Sequence, residues 1–128
     1  MARQTHPAVA AVLSPLITAN LVARCGIFEL EALFSARGWQ QLENLRRKMA
    51  EGLRLAETSQ ADFDRAAEVM GLLAQAGLHR AVPVPDLILA AIAERHGLVV
   101  LHYDQDFDHI AQVTGQRIKW VVPQGSVP

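Results

Sequence analysis

The sequence predicts an α/β fold with a mostly parallel sheet, and three observations carry that expectation. Segments with apolar residues at i, i+3 and i+4 alternate with short runs of strand character. The run Leu98–Leu101 is continuously apolar, the mark of a strand covered on both faces. Glycines and small polar residues separate these units at short intervals, as βα connections require.

The elements follow in order. A first helix is expected over Pro7–Thr18, because Val9, Val12, Leu13, Leu16 and Ile17 share one helical face. Pro7 suits the first turn, where its missing N–H costs nothing, and Pro15 should kink or shorten the end. Leu21–Cys25 reads as a strand, followed by a helix from Gly26 to near Gly38. Trp39–Glu51 reads as a helix with Trp39, Leu42, Leu45 and Met49 inward and Arg46, Arg47 and Lys48 in solvent. Leu53–Glu57 is an edge-strand candidate. Ser59 and Asp62 form a capping-box pattern for a helix that presents Phe63, Ala66, Ala67, Met70, Leu73 and Ala74 and stops at Gly77. Pro85 opens a helix with Leu87, Ile88, Ala91 and Ile92 buried, and Gly97 ends it. A strand over Leu98–His102, a helix over Asp104–Thr114 closed by Gly115, and a strand over Ile118–Val122 complete the chain.

A chain of 128 residues fits one domain, 1–128, and its 51% hydrophobic content is enough for a real core. The net charge of −1 provides no global attraction for nucleic acid, so any such site must be local. Cys25 is the single cysteine, which excludes an internal disulfide and fits a reducing compartment. No secretory signal is recognisable, and no run approaches the ~18 apolar residues of a membrane span. A cytoplasmic location without membrane attachment is therefore expected.

Acidic residues stand where strands end and helices begin, the place where open α/β sheets build sites. Glu31 falls in the helix after Leu21–Cys25, Asp86 at the start of the helix after Val82–Val84, and Asp104 directly after Leu98–His102, with Asp106 and Asp108 behind it. Carboxylates gathered at one sheet edge repel each other unless a hard cation neutralises them, and Mg²⁺ and Mn²⁺ prefer oxygen ligands. Each acid also has a structural explanation: Asp86 as a helix-start residue, Asp104 or Asp106 as a cap, Glu31 as a solvated residue beside Glu29. The spacing of Asp104, Asp106 and Asp108 resembles the start of a calcium loop. That reading fails, since His109 stands where glycine is needed and Gly115 where the bidentate glutamate belongs. The five histidines have no zinc spacing, Cys25 has no nucleophile signature, and there is no phosphate-binding glycine loop.

Two stretches together resemble a known family. Val84-Pro85-Asp86-Leu87-Ile88-Leu89-Ala90-Ala91, followed by Leu101-His102-Tyr103-Asp104-Gln105-Asp106-Phe107-Asp108, is similar to the C-terminal half of PIN-domain toxins of the VapC type. Cys25–Arg37 looks like that family's second acidic motif, with Glu31 at the matching position. The resemblance implies a three-layer domain with a mostly parallel central sheet flanked by helices, Mg²⁺ or Mn²⁺ at a cluster of acids, and cleavage of RNA. By carry-over Glu31, Asp86 and Asp104 are catalytic and metal-site residues, and Asp106 is a further metal-site acid. RNA contacts are assigned to the local cations Arg37 and Arg80. The resemblance also implies a homodimer and inhibition by a cognate antitoxin, whose arginine would suit an acidic cleft.

The family pattern begins with a central strand ending in an aspartate. Here the first helix starts almost at once, so that strand and its acid are expected to be missing and Met1 to be an internal methionine. Strands Leu21–Cys25 and Leu98–His102, its neighbours, should then lie apart or close up. Two other functions compete with an endoribonuclease toxin. One is a catalytically impaired PIN-fold protein that binds antitoxin or RNA without cleavage. The other is a receiver domain, disfavoured because Asp86 and Asp104 come too late in the chain.

Overall fold

A computed structural model describes residues 6–128. Among them are six helices and four short strands in an α/β arrangement, and the strands pair as two separate parallel couples. The chain forms two compact units, one of residues up to Ala56 plus Val121–Pro128, the other Glu57–Trp120.

In the first unit, α1 (Pro7–Thr18) starts with Pro7 and is capped by the His6 ring, whose Nδ1 accepts the Ala8 N–H at 3.2 Å. Pro15 does not end the helix. It sits in the last turns, and α1 continues to Thr18. Asn20 then adopts φ 58°, and the N–H groups of Asn20 and Leu21 reach back to Ile17 and Leu16 at 2.9 Å, closing the helix end. That cap consumes Leu21, and Cys25 is the N-cap of the next helix. The expected strand Leu21–Cys25 is therefore reduced to β1 (Ala23–Arg24). α2 (Gly26–Phe34) stops before Gly38 because the Ser35 hydroxyl donates to the Ala32 carbonyl at 2.6 Å. α3 (Trp39–Gly52) buries Met49 and half-buries Leu42 and Leu45, but Trp39 is 76% exposed and not part of that face. β2 (Arg54–Leu55) pairs with β1 in parallel, and Arg24 reinforces the crossover by an ion pair to Glu29 and a bond to the Leu53 carbonyl.

The second unit opens with α4 (Gln60–Gln75), and the capping box is present: Asp62 Oδ2 accepts the Ser59 N–H at 2.8 Å. Its buried stripe is Asp62, Ala66, Val69 and Leu73. Phe63 lies outside it, 46% exposed, because Asp62 turns inward to meet Arg95 at 2.7 Å. Gly77 at φ 77° ends α4, with Leu78 N–H bonded to the Leu73 carbonyl at 2.8 Å. Val82–Val84 forms no strand, and the next helix already includes Val84.

α5 (Val84–Arg95) buries Leu87 and the run Ala90–Ala93. Gly97 repeats the same helix closure, drawing Leu98 back to Ala93 at 2.8 Å. Thus β3 (Val100–His102) begins later than expected, and Val99 is exposed rather than covered. α6 (Asp106–Thr114) ends at Gly115, φ 73°. β4 (Ile118–Trp120) pairs in parallel with β3, placing His102 opposite Trp120. Ala66, Val69, Leu73, Val82, Leu87, Ala90, Ala93, Val100, Phe107 and Ile110 form this unit's core.

Candidate acidic metal centre

α5 and α6 deliver the acids. Asp86 is the third residue of α5, and Asp106 the first of α6. Both positions favour negative charge, since the first-turn N–H groups carry the positive end of the helix dipole. Asp104 sits in the turn between β3 and α6. Its Oδ1 accepts the Asp106 N–H at 2.9 Å, and its carbonyl accepts the Phe107 N–H at 3.2 Å. These caps point α6 at the end of β3. The result brings one carboxylate oxygen from each of Asp86, Asp104 and Asp106 within 4.8 Å of one another.

The electrostatics follow from that crowding. Burial, and then the Asp104 charge, hold the Asp106 carboxyl above the ordinary aspartate value. Asp86 and Asp106 are half-buried while Asp104 is exposed, so the cluster keeps an open side. An all-oxygen, anionic donor set of this kind suits a hard divalent cation and not a thiophilic one.

His102 supports the cluster from below. It is 6% exposed, and its Nδ1 accepts the Asp104 N–H at 3.1 Å. The ring packs between Phe107 at 5.1 Å and Trp120 at 4.8 Å. Burial pushes its pKa below the usual histidine value against the pull of Asp108 and Asp104. Because Nδ1 accepts, a neutral ring carries its proton on Nε2, which has no hydrogen-bond partner among the described residues. Asp108 is not in the cluster. Its two oxygens accept the Trp120 Nε1–H at 3.2 Å, which locks the aromatic wall behind His102.

Of the residues singled out in the sequence, Asp86, Asp104 and Asp106 come together. Glu31 is an exposed residue of α2 in the other unit. Arg37 is exposed before α3, and Arg80 is exposed in the turn between α4 and α5. Sequence reasoning missed the positioning role of His102, which was weighed only as a zinc ligand. The signal available was its place two residues before Asp104.

A parallel strand pair, β3–β4, and the N-termini of α5 and α6 bring three carboxylates together in an α/β protein with a candidate cation centre. The PIN domain family model matches residues 3–113, and the chain belongs to the PIN-domain family, in its VapC branch. The chain is 44% identical over 120 residues to Ribonuclease VapC21 of Mycobacterium tuberculosis, covering 94% of this chain and 87% of that protein. It is 43% identical over 125 residues to Ribonuclease VapC51 of the same organism, covering 98% and 90%. Ribonuclease VapC18, also from that organism, is 37% identical over 124 residues, covering 95% and 90%.

Proposed function

We propose that this chain is a metal-dependent endoribonuclease that hydrolyses phosphodiester bonds in RNA as the toxin of a toxin–antitoxin pair. The observation that carries the reading is the meeting of Asp86, Asp104 and Asp106 within 4.8 Å, in a PIN-family chain whose relatives are ribonucleases. Mg²⁺ or Mn²⁺ fits the donor set, and such an ion, when bound, supplies Lewis acidity toward phosphate oxygens and an activated water. The chain's own residues bind and orient. Asp86 and Asp106 are fixed by their helix starts, and Asp104 is aimed by the Asp106 N–H and by His102 behind its backbone. Glu31 enters as a further acid on the resemblance alone, and Arg37 and Arg80 enter as exposed local cations for RNA.

The partners in this reading are RNA, an antitoxin and a second copy of the chain, and the site of action is the cytoplasm. Support for a covering protein comes from Leu30, Phe34 and Trp39, which are 65%, 92% and 76% exposed. No described helix is long and apolar enough to cross a membrane.

The test is cleavage of single-stranded RNA with Mg²⁺ or Mn²⁺ and its arrest by EDTA. Asp86→Asn and Asp104→Asn should each lower the rate by orders of magnitude, because a lost carboxylate weakens metal binding and misplaces the attacking water. Glu31→Gln tests the carried-over acid in the same assay. Full activity in both aspartate variants overturns the assignment.

A further inference from the structure

A cavity of about 240 Å³ opens in the second unit, lined by Met70, Leu73, Val82, Val84 and Leu87, with His79, Arg80 and Pro83 completing it. Its floor is apolar and firm: Leu73, Val82 and Leu87 are at most 5% exposed. His79 and Arg80 are both exposed. Neither side chain forms a hydrogen bond or ion pair with another described residue. α5 carries both features: Asp86 of the acidic cluster stands in sequence between the lining residues Val84 and Leu87.

Arg80 is held there against its backbone preference. Ala81 N–H bonds to the Leu78 carbonyl at 3.0 Å, a β-turn whose third residue is Arg80 at φ 74°. Glycine or asparagine normally fills that position of a type II turn. The other non-glycine residue with positive φ among those described, Asn20, is a type that tolerates it. Arginine gains nothing locally from this conformation. What it supplies is a cation at the rim of the apolar cavity.

We propose that this cavity is a nucleotide subsite next to the acidic centre: its floor receives one base of an RNA strand, and Arg80, with His79, takes an adjoining phosphate. The inference rests on the ribonuclease reading for its substrate class. An apolar slot accepts the face of a base, and a guanidinium presents paired N–H groups to phosphate oxygens. Together they would fix which nucleotide lies beside the scissile bond.

The experiment is methyl NMR of the full chain titrated with adenosine and uridine 5′-monophosphates in the presence of EDTA. A base seated on the floor places its ring current against the Met70 methyl, so that resonance should shift while Met49, buried in the other unit, stays still. Arg80→Gly should weaken the titration about tenfold and leave the melting temperature equal or higher, since glycine relaxes the turn. Arg80→Lys should weaken it less. An unmoved Met70 methyl overturns the subsite, as does Arg80→Gly binding with undiminished affinity, or inorganic phosphate alone producing the same shift. Metal-dependent RNA cleavage is scored separately. Cleavage without the Met70 shift removes the subsite and keeps the nuclease, whereas the shift without cleavage does the reverse.

Discussion

Asp106→Asn should make the metal-free protein more stable while making it inactive. Three carboxylate oxygens lie within 4.8 Å of one another. At that separation each charged pair repels by about 3.5 kcal/mol for an effective dielectric of ~20, and by about 0.9 kcal/mol in bulk water. Neutralising Asp106 removes two of the three pairs. Asp104 is exposed, so solvent screens most of the larger figure. A gain of about 1–2 kcal/mol remains, which for a chain of this size is roughly 3–10 °C in melting temperature. The asparagine retains the N–H that caps onto Asp104, so the α6 start is preserved.

The assay is thermal unfolding of both proteins in EDTA and again with millimolar Mn²⁺. In EDTA the variant should melt higher. With Mn²⁺ the wild type should rise by linkage to the bound ion, and the variant should rise little. RNA cleavage by the variant should fall by orders of magnitude. A variant that melts lower in EDTA, or that gains as much from Mn²⁺ as the wild type, would refute the electrostatic account of the centre.

Three other outcomes are expected. Asp62→Asn should cost about 1–3 kcal/mol, since it weakens two charge-assisted bonds from Arg95 at 2.7 and 3.0 Å while the half-exposed Arg95 rehydrates. Arg95 holds the Asp62 pKa below the ordinary carboxylate value, so this contribution is complete above about pH 4 and is lost as pH falls through the lowered folded-state value; urea midpoints across the acid range should slope for the wild type and flatten for the variant. Gly77→Ala meets no atom within 4 Å, so its cost of about 1 kcal/mol in chemical denaturation should reflect the φ of 77° alone. Asp104→Ser should keep the cap on the Asp106 N–H and most of the stability but lose the Mn²⁺ response, whereas Asp104→Ala should lose both by melting and metal titration.

The parts of the fold legible in the sequence were those decided by neighbours in the chain. Ser59 with Asp62, and the glycines 77, 97 and 115, act through local backbone chemistry and stand where expected. Strand lengths were not legible, because helix closures reach forward and take residues that look like strand: Leu21 is claimed by α1 and Leu98 by α5. Helix faces misled where a distant partner decided the orientation. Phe63 fits the apolar period of α4 as well as its neighbours do, yet the ion pair from Asp62 to Arg95 spans 33 positions and turns the face away from it. His102 shows the same limit. Its burial depends on the β3–β4 register that sets it opposite Trp120, and no local pattern carries that register.

The acidic centre was legible for a different reason. Asp86 and Asp104, each taken alone, read more readily as helix starters than as ligands, and the two readings do not exclude each other. Asp104 uses Oδ1 to cap the Asp106 N–H, and a carboxylate has a second oxygen free to face a cation. A residue that begins a helix at the end of a parallel strand is placed at the sheet edge by the same bond that caps the helix. α6 is such a start, Asp86 joins it from the first turn of α5, and the repulsion that results would favour a divalent ion. For Asp104 the cap and the proposed ligand role share one arrangement, so a substitution that preserves the cap and removes the charge separates them, as Asp104→Ser is designed to do.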